Sequence, residues 1–285
     1  MSDPDFNSPL RGDELDQALR QLVNRLPLQP VPLGEAMGRV DPECNRRFNA
    51  VQLAGLAARG RHSFNCVTRP RVALLPGEDL SQPDCLDAAL RYAQGRLQAR
   101  ALSPTCWPTT PFDTPRFDAA LSSLADGFDV VIAVQPGGYL ASVPDGDESS
   151  AAELNLLFAL DCVPPSRCSA RGQAARWSLS LPSEPRAWLA AWHGLVEPLL
   201  DALEGVGRER AVDPPTCRIS PPVDADQIGQ LWPAALAWRV GAGGSMRARA
   251  QILHGEQWSD LSGMNALIEI LDIDRGRAIW CEQLP

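Results

Sequence analysis

The chain has 285 residues and a hydrophobic content of 45%, enough to bury one large core or two modest ones. Its formal net charge of -9 argues against an extended nucleic-acid surface, which needs clustered positive charge. All 26 basic residues are arginine, which excludes lysine as a phosphate ligand or Schiff-base former.

The sequence also supports expectations about the cellular compartment and about metal binding. No run of eighteen apolar residues occurs, and the acidic start MSDPDFNSPL lacks the positive segment of a signal peptide, so we expect a cytoplasmic protein without a membrane partner. The eight cysteines form no C-x-x-C pair, which disfavours a zinc site and favours cysteines that act as small buried hydrophobes. The three histidines lie in separate segments, so we expect each on the surface or in the core with its hydrogen bonds satisfied.

The N-terminal part of the chain predicts two helices. Residues 13–26 carry leucines and a valine at helical spacing after Asp13, which indicates a capped amphipathic helix. A second helix is predicted over residues 51–59, capped by Asn49 and stopped by Gly60. We assign residues 1–68 to an N-terminal helical segment, and an isolated amphipathic helix most commonly packs on its own domain.

Three apolar runs, each followed by a turn rich in Gly, Pro or acidic residues, dominate the middle of the chain. They read RVALLPGEDL from Arg71, DVVIAVQPGG from Asp129 and RWSLSLPSEP from Arg176. Unbroken runs of this kind are typical of parallel strands covered on both faces. Because ligands bind at the carboxyl ends of such strands, we expect function to lie in the three loops that follow.

Helices are predicted around these strands. Apolar residues at helical spacing favour four of them, over residues 85–98, 114–125, 150–160 and 185–203. Ser183 is placed to cap the last helix, with Pro185 in its first turn. Trp188 and Trp192 lie on the apolar stripe of that helix, so we expect them in the core rather than stacked on a ligand.

The C-terminal part changes character after the prolines of residues 207–223. Short β-like runs follow, over residues 234–240, 248–253, 266–271 and 278–281. The GAGGS stretch from Gly241 lacks the strand-to-helix context of a dinucleotide loop, so we interpret it as a hairpin turn. The predicted division is an α/β domain over residues 69–206 and a small β domain over residues 207–285.

Five stretches, in order, carry a resemblance to a known family. They are VPLGEAMGRV from Val31, RVALLPGEDL, FDVVIAVQPGG, LSLPSEPRAWLAAWHGLVEPLL and LSGMNALIEIL. Together they resemble the molybdopterin molybdenumtransferase family, whose eukaryotic relative is the gephyrin E domain, over nearly the whole chain. The resemblance implies an α/β fold with a central parallel-sheet molybdopterin-binding-type domain, an N-terminal helical segment and a small C-terminal β-barrel-like domain, in a homodimer.

The chain also departs from the family pattern at several places. Only eight residues separate Val40 from Asn49, where the family inserts a second domain. The Thr-Gly-Asp-Glu loop has become PGED at residues 76–79, and Ser-Gly-Gly has become PGG at residues 136–138. Leu-Pro-Gly-Asn-Pro has become LPSEP, which places the carboxylate of Glu184 where the family uses an amide. Both lysines of the basic KPGKP stretch are missing.

The resemblance implies a set of site residues. Those assigned to ligand binding are Gly77, Gly137, Gly138, Arg167, Arg171, Ser183 and Glu184. Those assigned to a magnesium ion are Glu78, Asp79 and Asp84, because oxygen ligands suit that cation. Asp145, seven residues beyond Gly138, corresponds to the aspartate that the family uses on molybdate and metal. An aspartate in a loop of this composition is also ordinary turn chemistry.

Three hypotheses about function remain open at this point. The chain is a protein of molybdenum-cofactor biosynthesis that binds molybdopterin or the metal-loaded cofactor, with weakened or lost transferase chemistry, and that serves a molybdoenzyme client. Alternatively, it is an active enzyme that inserts molybdate into adenylylated molybdopterin. In the third, it is a dimeric scaffold with a vestigial cleft, since a fold alone does not fix a function.

Overall fold

The computed structural model describes residue 19 and residues 23–78, 83–111, 115–135, 154–160, 166–173, 176–206, 216–240, 246–255 and 257–282. Among these residues no helix is both long enough and apolar enough to cross a membrane.

The N-terminal segment is built on a hairpin-like pair of strands. Strand β1 (Leu28–Pro32) pairs antiparallel with β4 (Ser63–Val67), and between them lie the short β2 (Val40–Asp41) and β3 (Arg46–Arg47) and helix α1 (Ala50–Ala58). β2 and β3 pair directly with each other, so a tight antiparallel hairpin spans this stretch.

Helix α1 confirms the predicted second helix. The side chain of Asn49 accepts from Gln52 N, and Gly60 follows the end of the helix at φ +74°. The prediction of a helix as far as Leu26 is wrong at its end, since Leu19 is helical and residues 23–27 are not. The chain instead turns to the core there, where Leu26 N donates to Leu203 O at 2.8 Å.

The central sheet holds seven strands in the order β6-β5-β8-β11-β10-β9, with β7 beside the end of β5. Its strands are β5 (Val72–Glu78), β6 (Thr105–Cys106), β7 (Thr110–Pro111), β8 (Val130–Gln135), β9 (Leu154–Leu160), β10 (Ser166–Gln173) and β11 (Arg176–Pro182). β5, β8 and β11 run parallel, as predicted. The short β6 and β7, which were not predicted, also pair in parallel with β5, whereas β9 and β10 are antiparallel additions.

Both faces of this sheet are covered, and residues 72–76 and 130–134 of its central strands are apolar and buried. Helix α2 (Pro83–Ala99) packs with Leu74 and Ile132 on one face, and helix α3 (Pro115–Gly127) packs with Leu75 and Ala133 on the other. Both helices confirm predictions from apolar spacing.

The helix predicted over residues 150–160 is wrong, since residues 154–160 form strand β9. The run LNLLFAL suits either a buried helix or a buried strand on sequence alone. Pairing with β10, in which Ser166 lies opposite Leu160, makes it a strand. The polar sequence of β10, SRCSARGQ, gives no sign of a strand, so the partner was missed.

A long helix follows the sheet. Helix α4 (Pro185–Ala191) continues through a π-helical turn (Trp192–Val196) into α5 (Glu197–Glu204), which ends at Gly205 in the left-handed conformation. The helix was predicted and its π turn was not. Trp188 and Trp192 are fully buried, as expected.

The C-terminal strands close into a barrel in the order β12-β14-β13-β15-β16. They are β12 (Thr216–Ile219), β13 (Leu231–Val240), β14 (Met246–Ile252), β15 (Ala266–Asp272) and β16 (Arg275–Cys281). The last four correspond to the predicted runs, and β12, which closes the barrel, was missed. Val240 lies opposite Met246, as the predicted hairpin requires, although the GAGGS residues themselves lie outside the described residues.

Candidate functional site

The carboxyl ends of three parallel strands meet at one edge of the central sheet. Pro76 of β5, Val134 of β8 and Leu181 of β11 lie in one row across the sheet, and Gln135 and Pro182 lie in the next. Chain segments that leave these strands therefore emerge side by side. We call this the carboxyl edge.

Gly77 and Glu78 lie at the carboxyl edge within strand β5, and not in a loop as their resemblance to a Thr-Gly-Asp-Glu turn implied. Strand β7 pairs in parallel with this end of β5, so that Gly77 lies opposite Thr110 and Glu78 lies opposite Pro111. Gly77 is buried, whereas the side chain of Glu78 is exposed.

Asp84 lies in the first turn of α2, a few residues beyond the end of β5, and its side chain is exposed. A carboxylate there stabilises the helix through its dipole. The topology thus brings Glu78 and Asp84 to the same edge of the sheet, each open to solvent.

The residues that follow β11 are Ser183 and Glu184. The prediction that Ser183 caps the helix is wrong, because Glu184 holds the N-cap position and Pro185 the first turn. Ser183 is only 2% exposed. Trp188 N donates to Glu184 O at 2.8 Å in the first turn of the helix, and the Glu184 side chain makes no capping hydrogen bond.

Arg167 and Arg171 both belong to strand β10. Because β10 runs antiparallel to β11, its N-terminal end lies at the carboxyl edge, and Arg167 is placed there, opposite Ala159 of β9. Arg171 lies opposite Ser178, about 14 Å farther along the strand at about 3.4 Å per residue. The topology therefore separates the two arginines instead of placing both at the edge.

The remaining predicted site residues, Asp79, Gly137, Gly138 and Asp145, lie outside the described residues. Within the described part of the chain, no group of three or more His, Cys, Asp or Glu side chains is arranged to hold a metal ion.

The start of α4 also contacts the barrel, which sequence reasoning missed. The Arg186 guanidinium lies over the ring of Trp232 of β13 at 3.3 Å from its centroid, and His254 meets the same ring edge-on at 5.0 Å. Cation–π contact of this kind fixes the first turn of α4 against the barrel. The three residues lie far apart in sequence, so no local pattern signals their contact.

A buried polar network lies farther along the same helix, at its π turn. The Tyr92 hydroxyl is 2.6 Å from His193 Nε2, and His193 Nδ1 is 3.0 Å from Glu197 Oε2. Arg96 donates to Glu197 Oε1 at 2.6 Å, and the His193 ring stacks on Trp280 of the barrel at 4.1 Å.

The protonation states of this network follow from burial and pairing. Burial lowers the pKa of His193 even though Glu197 opposes that shift, so the imidazole is neutral at pH 7. Burial alone would raise the pKa of Glu197, but hydrogen bonding from His193 and the charge of Arg96 lower it to about 2. The Nδ1–H of His193 therefore donates to the Glu197 carboxylate, and Nε2 accepts from Tyr92. His193 is thus a satisfied core histidine, one of the two outcomes expected from sequence.

Similar folds occur among solved structures. A molybdopterin biosynthesis MoeA protein from Pyrococcus horikoshii matches 98% of this chain and 100% of its own at 12% identity and a TM-score of 0.69. A molybdenum cofactor biosynthesis protein from Pyrococcus furiosus matches 92% of this chain and 93% of its own at 17% identity and a TM-score of 0.61.

No family model and no curated protein matches the sequence. A second Pyrococcus horikoshii MoeA structure aligns with 96% of this chain and 99% of its own, at 12% identity and a TM-score of 0.63. At these identities the similarity establishes the architecture and leaves the chemistry to be argued from the site. Along nearly its whole length, the chain has the fold of MoeA molybdopterin biosynthesis proteins.

Proposed function

We propose that the carboxyl edge binds molybdopterin or its metal-loaded form, and that molybdenumtransferase chemistry there is weakened or lost. The fold of molybdopterin biosynthesis proteins supports the ligand class. The observation that supports weakened or lost chemistry is the acidic residue Glu184 at the N-cap position of α4 at this edge. A helix N-terminus favours an anion, and the negative charge of a glutamate there competes with the phosphate of a ligand.

The proposed ligand contacts use the edge as a whole. We assign Gly77, Gly137 and Gly138 to a close approach of the ligand, since glycine carries no side chain, and the hydroxyl of the buried Ser183 to a contact at the helix start. We assign Arg167, in the end of β10 that lies at this edge, to a phosphate, for which a planar guanidinium is well suited. Arg171 lies farther along the same strand, so we assign it the more distant part of the ligand.

A magnesium ion fits the donor chemistry of this edge. Glu78 and Asp84 both offer exposed carboxylates, and hard cations take oxygen ligands. We propose that these two residues and Asp79 hold the ion, which neutralises phosphate charge when bound, and that Asp145 acts on molybdate and metal if transfer survives.

Calorimetric titration with molybdopterin and with its adenylylated form, with and without Mg²⁺, tests the proposal. We expect binding without release of AMP. Binding followed by AMP release would establish the active enzyme instead, and Asp145→Ala should then abolish transfer while ligand binding persists. Absence of binding to either compound would leave only the scaffold.

A matched pair of variants tests the role of Glu184. Glu184→Asn restores the amide of the family motif and removes a negative charge, so affinity for the anionic ligand should rise about fivefold, equivalent to about 1 kcal/mol. Glu35→Asn removes an exposed carboxylate from the N-terminal segment and should leave affinity unchanged. Equal affinities for the two variants would contradict the proposed competition at the helix start.

The oligomeric state, compartment and partner of the protein are also proposed from the resemblance. We infer a cytoplasmic homodimer that passes its ligand to a molybdoenzyme client, because the resemblance implies such a dimer and such a pathway. Sedimentation velocity of the purified chain tests the dimer directly.

A further inference from the structure

The outer wall of the barrel carries four arginines that line one cavity. Arg218 of β12, Arg239 of β13, and Arg247 and Arg249 of β14 surround a cavity of about 570 Å³, together with Ser220 and Pro222. We call these four residues the arginine face. It belongs to the barrel and includes no residue of the carboxyl edge.

Strand register places the four side chains next to one another. Arg239 lies directly opposite Arg247, and Arg218 lies opposite Arg249. Arg247 and Arg249 are two residues apart on one strand, which separates their positions by about 7 Å. All four are exposed, while the alternate residues Cys217, Ile219, Ala248 and Ala250 are buried in the barrel.

Among the described residues, few acidic groups balance the positive charge of this surface. Arg218 approaches Asp274 at 3.8 Å, with both side chains largely exposed, and Arg249 donates to the Ser220 hydroxyl. Within the described residues, no hydrogen bond or ion pair engages the side chain of Arg239 or Arg247. Arg275 lies opposite Arg218 and adds a fifth positive charge to the row.

Such an arrangement costs stability in the absence of a ligand. Like charges directly opposite each other on neighbouring strands repel, and here two opposed arginine pairs adjoin. The barrel core does not require arginine at these outward positions, because its apolar residues point inward. In a chain with a net charge of -9, five clustered arginines are better explained by an anionic ligand than by folding.

We propose that the arginine face binds a small molecule with a diphosphate or higher phosphate group. Guanidinium forks pair with phosphate oxygens through two parallel hydrogen bonds, and the long side chains of two adjoining arginine pairs can converge on two linked phosphates. The cavity has the size of a small-molecule site. The negative charge of the whole chain disfavours a long polyanion such as nucleic acid. The site goes beyond the function proposed for the carboxyl edge and does not depend on it.

Titration with pyrophosphate at low ionic strength tests this proposal. We expect the wild type to bind pyrophosphate more tightly than inorganic phosphate, with an affinity that falls as salt is added. The double variant Arg239→Ser/Arg247→Ser should bind pyrophosphate at least about tenfold more weakly, because it removes hydrogen bonds to a charged ligand. Arg59→Ser/Arg61→Ser removes two exposed arginines from the N-terminal segment and should bind as the wild type does.

Thermal melting separates loss of the site from loss of the fold. Without ligand, Arg239→Ser/Arg247→Ser should melt at no lower temperature than the wild type, since it removes a repulsion. Equal weakening of both double variants, or equal affinity for phosphate and pyrophosphate, would overturn the proposal. Binding of a single-stranded oligonucleotide through the same arginines, without binding of pyrophosphate, would replace it with a nucleic-acid surface.

Discussion

The buried carboxylate of Glu197 gives the sharpest prediction about the stability of this protein. It accepts hydrogen bonds from Arg96, His193 and Trp192, and its side chain is only 12% exposed. These partners come from α2 and from the π turn, and His193 in turn stacks on Trp280 of the barrel. Glu197→Gln keeps the shape of the side chain and removes its charge, so it isolates the electrostatic part of the network.

The expected magnitude follows from the pKa of this carboxyl group. Its surroundings lower that pKa from 4.5 to about 2, and each pKa unit is worth about 1.4 kcal/mol. The ionised carboxylate therefore contributes about 3 kcal/mol to the free energy of unfolding at pH 7. Glu197→Gln should lose about that amount, which is a large part of the stability of a typical domain.

The stability that the Glu197 carboxylate contributes should decrease as pH falls. Because the pKa is lower in the folded state than in the unfolded state, the contribution is complete above about pH 4.5 and is lost as pH falls towards 2. At pH 3 about 2 of the 3 kcal/mol should be gone, so the difference between wild type and Glu197→Gln should shrink to about 1 kcal/mol.

Urea unfolding of both proteins at pH 7 and at pH 3 measures this difference. Glu43→Gln, which neutralises an exposed carboxylate, is the control and should differ from the wild type by less than about 0.5 kcal/mol at either pH. A Glu197→Gln effect that is the same at both pH values would refute the electrostatic account, as would an effect below about 1 kcal/mol at pH 7.

Two further variants test local structure by denaturant unfolding. Asn49→Ala removes the side-chain oxygen that accepts from Gln52 N at the start of α1 and should cost about 1 kcal/mol, whereas Asn49→Asp, which keeps the acceptor, should cost much less. Gly276→Ala would place a Cβ atom 2.4 Å from Ile268 Cγ2 inside the barrel and should cost about 1–3 kcal/mol; Gly34→Ala, which has open space, should be nearly neutral by comparison.

The central strands and their flanking helices could be predicted because their signals are local. In strand Val130–Gln135 every residue before the final Gln135 is apolar, since both faces of the sheet are covered, and that run is visible in sequence. Helices α2 and α3 each pack one apolar stripe against the sheet, and this is why apolar residues recur at helical spacing in their sequences.

The elements that were missed owe their structure to partners distant in sequence. Leu154–Leu160 is a strand because β10 pairs with it, and Thr216–Ile219 is a strand because β14 and β16 lie on either side. Neither short segment has a pattern of apolar residues that distinguishes a strand from a helix. The candidate site shows the same limit, since the contact of Arg186 with Trp232 joins a helix to a barrel strand through tertiary packing alone.

The long helix joins the parts of this protein through contacts along its whole length. Its first turn is fixed by Arg186 on Trp232, its π turn by His193 on Trp280, and its end by Arg47 on Glu204. These three contacts join the helix to the barrel twice and to the N-terminal segment once, and none uses Gly77, Glu78 or Ser183. Because the contacts that hold the parts together are separate from those residues of the carboxyl edge, the edge can change its chemistry while the architecture remains.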